Sequence, residues 1–220
     1  MSDQSKKVAV VLSGCGVLDG AEIHESVITL LRLCRRGAQV TCFAPNMAQA
    51  QVINHLNGKP IQEERNVLAE AARIARGEIS DLKDARAEDF DALVVPGGFG
   101  AAKNLCDFAF KGSQLSVQPD FLRFAQGFAE AAKPVGLICI SPVMAAPIYG
   151  PGVEVTIGKD APTANAIEQT GAVHKIADVR QIVEDQQRRL VTTPAYMLGQ
   201  NIAEVADGIE KLVDRVLELT

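Results

Sequence analysis

Histidine is scarce in this chain: there are three in 220 residues, His24, His55 and His174. They are scattered, without the spacing that metal ligands use, so no metal and no cofactor are expected. Cysteine is present but never as a C-x-x-C pair, and five is an odd number. That pattern reads as free thiols in a reducing compartment. Basic clusters are missing too. With 22 Lys and Arg against 27 Asp and Glu, and a net charge of −5, no face is available to replace the counterions of a nucleic acid. Long apolar runs are also lacking. The stretch from Pro134 to Thr156 is nearly free of charge but is broken by prolines and glycines, which excludes a membrane span. No Ser/Gly/Pro-rich linker divides the chain, so residues 1–220 read as a single domain. The opening Met1-Ser-Asp-Gln-Ser-Lys-Lys runs straight into a strand and reads as carrying no signal or transit segment, and the expected location is cytoplasmic.

What is present is a regular alternation of strands and helices. Strands are expected at Val8–Leu12, Val40–Phe43, Asp91–Val95, Pro134–Ile138 and Val153–Ile157. Val183 and Leu190–Thr193 flank a hairpin turn. Helices are expected at Glu22–Arg36, Val67–Arg76, Phe121–Lys133 and Asn201–Leu219. This order predicts an α/β fold: one open, mostly parallel sheet with helices on both faces. Such sheets bind ligands beyond the carboxyl ends of their strands. Four polar segments fall there: Ser13–Gly20, Pro96–Gly100, Cys139–Ser141 and Thr192–Tyr196.

Cys139 is the leading candidate among them. It ends a buried-strand run and precedes Ser141-Pro142, which reads as an N-cap and first helical residue. The thiol would then sit on a sharp strand-to-helix corner, where a helix N-terminus favours thiolate. A small buried hydrophobe at a strand end is the plain alternative. Glu22 and Glu25 share a helical face in the first turn, where acids also serve simply to complement the dipole. Either carboxylate could move protons for a cysteine nucleophile, and His24 is a second-choice base. Gly97 and Gly98, in Pro96-Gly-Gly-Phe-Gly100, offer backbone N–H groups for an oxyanion. Thr193 and Tyr196 could line a pocket together with Ile140. Gly14-Cys15-Gly16 with Gly20 imitates a dinucleotide fingerprint, but its spacing is wrong and no acid follows the second strand. Of the other cysteines, Cys34 and Cys42 fit core faces and Cys106 a surface loop.

Three segments together carry a family resemblance: Gly20-Ala-Glu-Ile-His-Glu25, Val95-Pro-Gly-Gly-Phe-Gly-Ala-Ala-Lys-Asn104 and Ile138-Cys-Ile140. They resemble the PfpI-like, class I glutamine amidotransferase-like superfamily, of flavodoxin-like architecture. With Thr192-Thr-Pro-Ala-Tyr-Met197 added, residues 7–219 resemble the ElbB glyoxalase family, also called enhancing lycopene biosynthesis protein. The resemblance implies a nucleophile at Cys139, an acidic partner at Glu25 and an oxyanion glycine at Gly97 or Gly98. Related enzymes place a His after the cysteine or in a triad; here Ile140 follows. Peptidase and glutaminase chemistry both need a base to protonate an amine leaving group, so neither is expected. The expected activity is conversion of glyoxal, a small dicarbonyl, to glycolate without glutathione, by a homodimer. The contrasting reading is a non-catalytic regulatory or redox-sensing protein of isoprenoid metabolism.

Overall fold

The computed structural model describes residues 5–220; Met1–Gln4, part of the opening read above as lacking a targeting segment, lies outside it. Seven strands form the central sheet: β1 (Lys7–Val11), β2 (Gln39–Ala44), β3 (Ile79–Asp81), β4 (Ala92–Val95), β5 (Val135–Ile138), β6 (Val183–Asp185) and β7 (Leu190–Thr193). Their spatial order is β6-β7-β5-β4-β1-β2-β3. All neighbours are parallel except the β6–β7 hairpin. The chain builds outward from β1 to β3, then crosses to β4 on the other side. Strand order therefore reverses between β1 and β4, where a crevice opens beyond the carboxyl ends.

The central parallel strands β1, β4 and β5 are apolar and buried on both faces apart from Lys7 at the start of β1, because helices cover both. Along β1, Ala9 and Val11 enter one core while Val8 and Val10 enter the other. The strand period of two divides them. On one face pack α1 (Ile23–Arg35), α2 (Val67–Ile74) and α8 (Ile202–Glu218); on the other lies α5 (Pro119–Glu130). The core under α5, which Ala9 and Val11 enter, holds edge-to-face aromatic contacts: Phe124 lies 5.7 Å from Phe43 and 5.1 Å from Phe128 between ring centroids. Short helices complete the fold: α3 (Phe99–Lys103), α4 (Phe108–Lys111), α6 (Ala145–Tyr149) and α7 (Ala161–Gln169).

The single-domain α/β class expected from the sequence is the one observed. The expected strand at Val153–Ile157 is shorter and lies elsewhere: Glu154–Val155 pairs with Val173–His174 in a separate two-stranded ribbon. Cys34 is exposed, not core, and Cys106 is buried, not on a surface loop; its thiol reaches the Ala101 carbonyl at 3.3 Å.

Candidate active site

The crevice is made rigid by short backbone straps between loops that are far apart in sequence. The Glu22 N–H donates to the Gly97 carbonyl at 2.9 Å, Phe99 N–H to Val17 O at 2.8 Å and Gly100 N–H to Gly20 O at 2.9 Å. Asn104, buried, donates to Ser13 O and Asp19 O and accepts from Ala50 N–H. Lys103 Nζ donates to Leu18 O at 2.9 Å. The glycine-rich segment after β1 is therefore pinned to the glycine loop after β4.

Cys139 leaves β5 in the left-handed region, with φ of 62°. A non-glycine residue pays roughly 1–3 kcal/mol for this backbone. Its own N–H still donates to Thr193 O at 2.9 Å, so the sheet ladder extends through the corner. The following turn is not the expected capped helix. Ser141–Met144 is a 3₁₀ turn without a side-chain cap, and α6 beyond it has five residues. The Ser141 hydroxyl instead donates to Pro96 O at 2.9 Å and ties the corner to the glycine loop.

Beneath the sulfur lies Glu25, fully buried at 0 % exposure, while Cys139 is 7 % exposed. The carboxylate accepts the Gly97 N–H on Oε2 at 2.9 Å and the Tyr196 N–H on Oε1 at 3.3 Å, and it lies beside Cys139, both groups crowding the place a Gly97 side chain would take. The Tyr196 N–H is aimed by a second left-handed residue, Ala195, with φ of 44°. Gly97 must lack a side chain because a Cβ there would collide with Cys139 Cβ and stand 2.9 Å from Glu25 Oε2. Gly98 adopts φ of 89°, and a Cβ there would meet Gly20 O at 2.5 Å.

Burial, then the charge of Glu22, raises the Glu25 carboxyl to about 7. Burial, then the charge of Glu25, pushes the Cys139 thiol well above its ordinary value, against the N–H groups of Gly98 and Ile140. A thiolate favoured by a helix N-terminus, as expected from sequence, is thus not what stands here. The dipole of a short turn is outweighed by desolvation. The thiol and carboxyl form a coupled pair that releases its first proton near neutrality.

Among the expected site residues, Cys139, Glu25, Gly97, Gly98, Glu22, Ile140 and Tyr196 converge. Three details differ from expectation. The Gly97 N–H is committed to Glu25, leaving Gly98 and Ile140 as the amides directed at sulfur. Glu22 does not lie within the first helical turn; buried at 8 % exposure, it is the N-cap of α1 and accepts the Glu25 N–H at 2.7 Å. Thr193 does not line the cavity: its hydroxyl donates to Gln181 O at 2.9 Å, and the residue contributes only its carbonyl. His24 Nδ1 lies 2.7 Å from the Tyr196 hydroxyl, on the solvent side. Sequence reasoning missed the far wall of the cavity, Phe108, Ala109 and Thr163.

A strained cysteine corner over a buried glutamate, at the switch point of a parallel sheet, defines a class I glutamine amidotransferase-like protein without the histidine of a triad. The chain belongs to the DJ-1/PfpI family, whose pattern matches residues 6–195. It is 48% identical over 224 residues to the human glutamine amidotransferase-like class 1 domain-containing protein 3, mitochondrial, covering 97% of this chain and 83% of that protein. A crystal structure of an isoprenoid biosynthesis protein with an amidotransferase-like domain from Ehrlichia chaffeensis superposes with a TM-score of 0.90 at 36% identity, covering 97% of this chain and all of that one. The glyoxalase III of Candida albicans shares the fold at 13% identity, with a TM-score of 0.62 over 97% of each chain. The human relative is mitochondrial by name, which corrects the cytoplasmic location expected from sequence. Free thiols mark a reducing compartment but do not tell one from another.

Proposed function

We propose that this protein is a glyoxalase of the ElbB type, which converts glyoxal to glycolate without glutathione or another cofactor. The observation that carries this reading is the buried Glu25 carboxyl, held by two backbone amides against the Cys139 thiol and titrating near neutrality. A carboxyl so placed suits a proton that must leave and return within one turnover. The Cys139 sulfur adds to one aldehyde carbon, its proton passing to Glu25, and a hemithioacetal forms. Glu25, its carboxylate freed as that proton passes to the hemithioacetal oxygen, takes the proton from this carbon and delivers it to the neighbouring carbon through an enediol. The sulfur-bearing carbon becomes a thioester while its neighbour becomes an alcohol. One carbon is oxidised as the other is reduced, so no outside oxidant is needed. Water then cleaves the thioester to glycolate and restores the thiol. The Gly98 and Ile140 amides, already directed at the sulfur, are the donors available for the developing oxyanion.

A second reading, a non-catalytic role linked to isoprenoid synthesis, draws support from the likeness to the Ehrlichia isoprenoid biosynthesis protein. Cys139→Ala separates the two. Glyoxal turnover should vanish with the fold intact, because a methyl fits the same corner. Retention of more than about a tenth of wild-type kcat, a loss under ~1.4 kcal/mol, would remove Cys139 as the nucleophile. Glycolate production no faster than from a free thiol would favour the non-catalytic role.

The same reading includes a homodimer. Ile23, Val27 and Leu31 recur every four residues along α1 and are all exposed, an apolar stripe beside the site. Light scattering at micromolar concentration should give twice the 23.4 kDa chain mass; the single mass would refute the dimer.

A further inference from the structure

A short arm stands beside the glycine-rich loop after β1, and one histidine joins the two. Ile53–Asn54 pairs antiparallel with Lys59–Pro60, and the tip between them carries Leu56 at 98 % exposure. The base of the arm is fixed by Asp19 of the loop, itself buried, whose Oδ2 accepts the Ile53 N–H at 2.7 Å. The His55 ring lies so close on the Gly16 backbone that a Cβ there would stand 2.6 Å from Nε2. Its two nitrogens have partners of opposite kind. Nδ1 lies 3.0 Å from the Ile53 carbonyl, which only accepts, while Nε2 accepts the Leu18 N–H at 3.1 Å. The neutral ring with its proton on Nδ1 is the one form that satisfies both. A second proton would make Nε2 a donor facing a donor. Asp19 Oδ1, 3.9 Å from Nε2, is the acceptor within reach of a small swing of the ring.

We propose that His55 is a proton-operated latch on this loop: neutral, it holds the Leu18 N–H; protonated, it releases Leu18 and pairs with Asp19. Protons reach the ring because it is partly open to solvent, and water can take over the freed amide of the half-buried Leu18. Val17, one residue earlier, is exposed and lines the cavity in front of Cys139. Acid therefore loosens one wall of the cavity mouth. The loop stays attached meanwhile through Phe99 N–H on Val17 O and Lys103 Nζ on Leu18 O. Few other charges bear on the ring. Cys15 of the same loop is kept a neutral thiol by burial first and by the charge of Glu70 next. Lys103 reaches in from α3, Arg65 acts on Asp19 from the stretch before α2, and Lys59 of the arm is exposed. Asp19 is thus the one carboxylate placed to receive the imidazolium.

The test is NMR of the full chain with 15N-labelled histidine and backbone. At pH 8 His55 should show the Nδ1–H tautomer, and its titration towards pH 5 should be matched by the Leu18 amide. Exchange of that amide, corrected for the intrinsic pH dependence of exchange, should become about three- to tenfold faster, the scale of one net hydrogen bond. His55→Gln keeps an oxygen for Leu18 but takes up no proton, so its Leu18 exchange should not respond to pH. Asp19→Asn keeps an acceptor for Ile53 but loses the charge, and should move the His55 midpoint to lower pH. Glu25→Gln removes the other titration in this range and should leave the Leu18 response intact. The Nε2–H tautomer at pH 8, a wild-type Leu18 amide indifferent to pH, or an unchanged response in His55→Gln would each overturn the latch. So would a response lost in Glu25→Gln or a midpoint unmoved in Asp19→Asn. Should His55→Gln fail to hold Leu18 at any pH, the wild-type tautomer and the Glu25→Gln response still decide.

Discussion

The two edges of the sheet treat backbone strain differently. Five non-glycine residues adopt positive φ among the described residues: Arg76, Ala132, Arg189, Cys139 and Ala195. The first three precede strands, at the amino edge. Arg76 and Ala132 end helices on exposed turns, and Arg189 closes the β6–β7 hairpin. Their strain reverses the chain, which a glycine would do at least as well. Cys139 and Ala195 instead follow adjacent strands at the carboxyl edge, and both are buried. One presents a sulfur to Glu25 and the other aims the Tyr196 N–H at it. Strain at the amino edge is incidental to turning; at the carboxyl edge it positions reacting groups.

The sharpest break of this comparison is at the carboxylate. Glu25→Gln should lower kcat for glyoxal by about 10²-fold or more, the scale for losing a general acid–base group. It should also change stability in a pH-dependent way. The Glu25 pKa is raised in the folded state to about 7 from 4.5, so its contribution is fully present below about 4.5 and is lost as pH rises through about 7. The Gln variant, which has no charge to bury, should therefore gain Tm relative to wild type across that window, by on the order of 10 °C near pH 8, from about 3 kcal/mol at roughly 1.4 kcal/mol per pK unit and roughly 2–4 °C per kcal/mol. Equal Tm differences at pH 5 and pH 8 would show that Glu25 does not titrate in this range.

Glu22→Gln tests the neighbouring acid and should cost kcat only a few-fold. Because the charge of Glu22 helps to raise Glu25, its removal should move the acid limb of the kcat/KM profile to lower pH. A larger loss of kcat in Glu22→Gln than in Glu25→Gln would exchange their roles.

The smallest effects compare the edges directly. Ala132→Gly should leave kcat unchanged and stabilise by about 1 kcal/mol or less, since left-handed backbone costs a non-glycine residue about 1–2 kcal/mol and glycine returns roughly half of that in entropy. Ala195→Gly relieves similar strain but loosens the Tyr196 amide, and should lower kcat several-fold with little net change in Tm. Matched kcat values for the two variants would erase the distinction drawn between the edges.

The long elements were readable because their patterns are strong. The alternation from β1 through α8 announced a parallel sheet, and the apolar run ending at Cys139 announced a corner. Choosing Glu25 over Glu22 was beyond helical periodicity, because both fit the same face; only the motif resemblance separated them. Gly97 was visible as a loop glycine, but its task of clearing space for Cys139 and donating to Glu25 depends on a contact across 72 positions. Thr193 looked like a pocket residue because it ends a strand, and which way its hydroxyl turns is decided by the Gln181 carbonyl. The cavity wall was the least legible part. Phe108 and Ala109 sit on a four-residue helix and Thr163 on a nine-residue one, too short for periodicity to announce.

The central claim is that Cys139 and Glu25 share one proton. The direct measurement is the rate of iodoacetamide alkylation at Cys139 against pH, followed on its own peptide by mass spectrometry, in wild type and in Glu25→Gln. The account predicts that the wild-type rate climbs through an apparent pKa of about 7, where the pair loses its first proton, and that this step disappears in Glu25→Gln. A single step at the ordinary thiol pKa of about 8.5, the same in both proteins, would contradict it.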